Sequence, residues 1–114
     1  MIVGIDIGKY RHQAAFLDNF GTPLCPSVPF ENSDEGFAFF FKTMESVNDK
    51  TPIIGMEATG HYWLNLYSAL LSRNIETHVI NPIQTDAMRR MNIRKTKTDS
   101  VDCYYVAKVI QMGD

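Results

Sequence analysis

Two short apolar runs in this 114-residue chain each close on a single acid. Ile2, Val3, Gly4 and Ile5 lead to Asp6, and Ile53, Ile54, Gly55 and Met56 lead to Glu57. Runs of this kind suit strands buried on both faces, and an ionised carboxylate there is costly unless something positive meets it. A second pair, Asp99 and Asp102, is spaced by three residues, so on a helix both share one face. If the strands carrying Asp6 and Glu57 lie side by side and parallel, both acids reach the carboxyl edge of the sheet, where ligands of open α/β sheets gather. Converging carboxylates repel one another unless divalent cations neutralise them. Hard oxygen donors without His or Cys suit Mg2+ or Mn2+ rather than zinc. Each acid also has a plain structural role. Asp99 and Asp102 serve as an N-cap and a first-turn acid, Asp6 accepts backbone amides from the turn at Gly8, or Glu57 pairs with an arginine. Taken together, acids ending two strands plus a helical acid pair favour a site.

The elements that must position these acids follow from the pattern around them. Lys9, Tyr10 and Arg11 lead into a second strand from His12 to Leu17, which ends on the turn residues Asp18, Asn19 and Gly21. This is an antiparallel hairpin. Pro23, Pro26 and Pro29 leave residues 24–30 as an irregular edge strand. Ser33 followed by Asp34 and Glu35 marks a helix start, with Phe37, Phe40, Phe41, Met44 and Val47 as the buried stripe and residues 48–50 as the end. A helix over about residues 61–73 carries Trp63, Leu66, Tyr67, Leu70 and Leu71 on one face. Glu76 to Ile80 is a further strand, stopped by Asn81 and Pro82. Strand, helix and strand at this spacing make a right-handed parallel crossover. Thr98 or Asp99 then caps a last helix reaching about Met112.

Ahead of that helix, Arg89, Arg90, Arg94, Lys95 and Lys97 place five of the eleven basic residues within nine positions. Charge runs are usually solvated, and five charges can simply extend a loop. Their position beside the acid pair instead suits a phosphate backbone held by Arg and Lys while carboxylates bring metal to the scissile bond. Residues 92–97 read as a loop that folds on a polyanion. The net charge of −2 gives no global pull toward nucleic acid or lipid, so polyanion binding is local. The length predicts one domain with an adequate core. Cys25 and Cys103 form neither a metal spacing nor a disulfide framework, which fits a reducing, cytoplasmic setting. No leader pattern or membrane-length apolar run occurs. His12, His61 and His78 lack metal spacing and read as surface or satisfied core residues. The serines lie outside any nucleophile-elbow context, and no Gly-rich phosphate loop is present.

Four segments, Gly4 to Lys9, Gly55 to Tyr62, Val79 to Pro82 and Lys97 to Asp102, resemble in order the N-terminal domain of DEDD transposases of the IS-one-ten type insertion sequences. Gly-Ile-Asp-Ile-Gly alone is a weak motif; joined to Glu-Ala-Thr-Gly and Lys-Thr-Asp-Ser-Val-Asp it is specific. The resemblance implies an α/β, RNase H-like fold related to the Holliday junction resolvase RuvC. Its sheet is mixed and five-stranded, the first three strands antiparallel, with helices on both faces. It implies that Asp6, Glu57, Asp99 and Asp102 are ligands of two Mg2+ or Mn2+ ions in strand cleavage and exchange, in bacterial or archaeal cells at the nucleoid. DNA, a structured guide RNA and further copies of the chain are the implied partners. A C-terminal domain bearing a nucleophilic serine belongs to the family pattern and is absent here, so autonomous recombination is not expected.

Two rivals have their own signatures. Sugar kinases and actin-type ATPases also open on a strand with Asp-x-Gly, but follow it with Thr or Ser where Lys9 stands here. A non-catalytic module docking nucleic acid or a partner would depend on Arg94 and Lys95 and not on Asp6.

Overall fold

In the computed structural model, which describes residues 1–47, 51–91 and 101–113, the first apolar run is strand β1 (Ile2–Asp6). It pairs antiparallel with β2 (Arg11–Leu17), Asp6 lying opposite Gln13. The next strand, β3 (Val28–Glu31), pairs antiparallel with β2 at the sheet edge. It is shorter than the expected 24–30. Leu24 donates its amide to the Phe16 carbonyl and Pro23 bridges Leu17, but the prolines prevent a continuous ladder.

Helix α1 (Asp34–Val47) begins where expected, the Ser33 hydroxyl accepting the Gly36 amide at 3.1 Å. It leads to β4 (Ile53–Glu57), parallel to β1. Helix α2 (Leu64–Ser72) starts three residues later than the sequence pattern indicates, because residues 61–63 form a turn. It ends with Asn74 in the left-handed region, the Asn74 and Ile75 amides reaching Leu71 and Leu70 carbonyls. Strand β5 (Glu76–Ile80) closes the parallel crossover beside β4. The sheet order is therefore β3-β2-β1-β4-β5.

An unanticipated element follows. Helix α3 (Pro82–Met91) occupies a stretch that the sequence reading treated only as a shift toward basic composition. Its start is well specified. Asn81 Oδ1 accepts the Ile83 amide at 2.9 Å, Gln84 Oε1 accepts the Asn81 amide at 3.3 Å, and Pro82 occupies the first helical position. The last helix, α4 (Val101–Met112), matches its expected end. Its proposed cap, Thr98 or Asp99, lies outside the described residues, as does the expected end of α1 at residues 48–50.

Alternation along the strands sorts side chains between two layers. Val3, Ile5, Phe16, Ile54 and Met56 join Phe37, Phe40, Leu66 and Leu70 beneath α1 and α2. On the opposite face Ile2, Leu17 and Ala107 form one cluster, and Ile80, Val106 and Val109 another, beneath α4. Gly4 and Gly55 stand side by side on this second face. A Cβ on Gly4 would collide with the Cys103 carbonyl and the Ala107 amide, and one on Gly55 with Ile110. The missing side chains let α4 lie directly on β1. The architecture is the expected RNase H-like arrangement, with helices on both faces of a mixed sheet.

Candidate functional site

Asp6 and Glu57 are the last residues of their strands, and they follow the paired residues Ile5 and Met56 in the parallel register. They share the sheet face occupied by Gly4 and Gly55, the face covered by α4. Both are partly buried. The condition set by the sequence, neighbouring parallel strands with acids at their carboxyl ends, is thus met.

Close approach at Gly4 brings the first turn of α4 over β1, and that turn carries Asp102, also partly buried. The adjacent Cys103 reports the local field. Its thiol is pushed up to about 12, first by burial and then by the negative charge of Asp6. Cys103 therefore stays a protonated thiol near Asp6 and offers no soft thiolate ligand. The donor set near this edge is carboxylate oxygen, the chemistry of a hard divalent cation. Among the described residues no three His, Cys, Asp or Glu side chains approach closely enough to hold a metal ion by themselves. Asp99 lies outside those residues.

The structural alternatives fare differently. The Gly8 amide, a candidate donor to Asp6, instead donates to His12 Nδ1 at 3.1 Å. His12 is a core residue, packed edge-on against Phe30 and stacked against Phe37, and burial lowers its pKa so that it stays neutral. Its role is to hold the turn after Asp6. Glu57 Oε2 accepts the hydroxyl hydrogen bond of Thr85 on α3.

Thr85 escaped the sequence reading. It is fully buried, and its Oγ1 also lies 2.9 Å from the Pro82 carbonyl. The signal was available in principle: Asn81, Pro82 and Gln84 announce a helix start, and Thr85 lies one position beyond that box. Of the basic residues, Arg89 and Arg90 are carried on α3, and Arg90 is exposed. Arg94, Lys95 and Lys97 lie outside the described residues. A cleft of about 520 Å3 between β5, α3 and α4 is lined by His78, Ile80, Gln84 and Val109 among others, and includes neither Asp6 nor Glu57.

The fold and the acids that end its two central parallel strands define a mixed α/β domain of the RNase H-like class. Comparison with known proteins narrows the class. The model of the DEDD transposase family of IS110 type, described as "Transposase", matches residues 3–114. The chain belongs to this family of transposases and DNA recombinases. It is similar to the pilin gene-inverting protein of Moraxella lacunata, 29% identical over 108 residues, and to that of Moraxella bovis at the same identity and length. Each match covers 93% of this chain and 33% of the relative, so the chain spans a third of the length of these proteins. Among the described residues no helix is long and apolar enough to cross a membrane.

Proposed function

We propose that the chain is the catalytic N-terminal domain of a transposase that cleaves and transfers DNA strands, with Asp6, Glu57, Asp99 and Asp102 as ligands of two Mg2+ or Mn2+ ions. The observation that carries this reading is the placement of Asp6 and Glu57 at neighbouring strand ends on the face that α4 covers. When bound, such ions polarise the phosphate and neutralise the departing oxygen. Asp6 and Glu57 supply negative charge from the sheet edge, while Asp102 supplies it from the first turn of α4; Asp99 is the fourth acid of this proposal. Their placement matters, because phosphoryl transfer depends on positioning and charge more than on covalent chemistry by the protein. Phosphate oxygens of DNA count among the ligands in this reading, which is consistent with the lack of a three-residue group among the described residues.

Arg89, Arg90, Arg94, Lys95 and Lys97 hold the phosphate backbone beside the acids. A structured guide RNA, assembly with further copies, and a serine nucleophile from a C-terminal domain belong to the same proposal. The test uses a full-length protein carrying this chain: Asp6→Asn and Glu57→Gln should abolish strand cleavage while DNA affinity stays near wild type. Cleavage near the wild-type rate in both variants would overturn the assignment.

A second reading is a non-catalytic module that docks nucleic acid, with the exposed Arg90 on α3 as the observation that favours it. It predicts loss of binding in Arg94→Ala or Lys95→Ala and no effect of Asp6→Asn on any activity of the protein.

A further inference from the structure

The described acids Asp6, Glu57 and Asp102 come from β1, β4 and α4, and a hydrogen bond to Glu57 arises from a fourth element. Thr85 lies on α3, is fully buried, and donates from Oγ1 to Glu57 Oε2. The same oxygen stands 2.9 Å from the Pro82 carbonyl one turn back. A hydroxyl has one proton to give, and an ionised carboxylate is the stronger acceptor of the two. The Pro82 carbonyl therefore takes the hydroxyl only when Glu57 does not, and its proximity fixes the rotamer from which Thr85 meets Glu57.

We infer that Thr85 is a positioning residue for Glu57, holding Oε2 so that the carboxylate meets a divalent cation in one fixed orientation. The inference rests on the reading of Glu57 as a metal ligand. Three observations support it. The Thr85 hydroxyl is fully buried, where an unmade hydrogen bond is costly, and Glu57 Oε2 is the charged acceptor within its reach. The start of α3 is locked by the Asn81 and Gln84 cap, so the position of Thr85 is set independently of Glu57. The connection between β5 and α3 is also short, and the Ala58 amide immediately after Glu57 bonds the Ile80 carbonyl, so the ends of β4 and β5 and the start of α3 form one unit. Partners of this kind, hydrogen-bonded to a metal-binding carboxylate, govern affinity for the metal as well as geometry.

Mn2+ binding to this chain, followed by the loss of the free-ion electron paramagnetic resonance signal with and without a duplex oligonucleotide, tests the inference beside thermal melts. Thr85→Val should weaken Mn2+ binding about tenfold, and Thr85→Ser should restore it, since serine keeps the hydroxyl. If Thr85→Val folds poorly, Thr85→Cys gives the same comparison with a weak donor. Wild-type Mn2+ affinity in folded Thr85→Val, together with weakened binding in Glu57→Gln, would overturn the role of Thr85 and leave the metal reading standing. Loss of binding in Thr85→Ser equal to that in Thr85→Val would reduce Thr85 to packing and overturn the inference. Unchanged binding in Glu57→Gln, or no Mn2+ uptake by the unsubstituted chain in either condition, would overturn the metal reading and this inference with it.

Discussion

Asp6 and Glu57 were legible as residues because each interrupts an apolar strand, where a charge demands an explanation. Thr85 was not, since a threonine in a polar stretch carries no sign that it will be buried against a carboxylate. The proposed roles differ sharply in their consequences. Replacing Asp6 by Asn or Glu57 by Gln should reduce strand cleavage by about 100-fold or more in a full-length protein, with DNA affinity within about threefold of wild type, because the basic residues carry most of the backbone contacts. A gel assay of cleavage beside fluorescence anisotropy measures both. Cys103 makes a separate prediction at this scale. Its thiol is raised from an ordinary value of 9.0 to about 12, so between those values the unfolded chain loses the proton while the folded chain keeps it. Stability from this group is present below pH 9.0 and is lost as pH rises toward 12. Urea unfolding at pH 8 and at pH 10.5, conditions chosen at about either side of the ordinary thiol value, should show a smaller loss for Cys103→Ala than for wild type.

The elements divide by how their ends are marked. The hairpin of β1 and β2, the α1 stripe and the β4-α2-β5 crossover follow period and turn residues, and the structure contains all three. Boundaries moved where tertiary contacts decide them, as at the turn before α2 and the proline-limited β3. Helix α3 is hard to see in the sequence because its arginines stand out as charge, while the cap formed by Asn81 and Gln84 shows only as side-chain hydrogen bonds in the fold. The pairing of Gly4 with Gly55 was equally hidden, since only the register reveals that both glycines lie under one helix. Substitution there should separate α4 from the acids. Gly4→Ala meets backbone atoms of Cys103 and Ala107 and should cost about 3 kcal/mol, whereas Gly55→Ala meets the flexible Ile110 side chain and should cost about 1 kcal/mol. Urea unfolding of the two variants checks the order.

At the scale of the molecule, the fold and family follow from the same features, a mixed sheet with acids at its central edge and a match over residues 3–114. Among the described residues Asp6, Glu57 and Asp102 are carried on β1, β4 and α4, and Arg89 and Arg90 on α3, so binding and cleavage should separate under substitution. Arg90, exposed on α3, is the accessible test of the backbone-binding half. Arg90→Ala should weaken DNA binding to a similar degree across unrelated sequences and lower the slope of log affinity against log salt by about 1. A loss confined to one sequence would mean base recognition instead. The central claim, that the acids gather divalent cations on a DNA strand, is tested most directly by an anomalous diffraction map of the chain crystallised with Mn2+ and a DNA duplex. The account predicts Mn2+ peaks in contact with Asp6 and Glu57, shared with Asp99 or Asp102 and with a phosphate oxygen. Ordered DNA and ordered acids with no peak between them would contradict it.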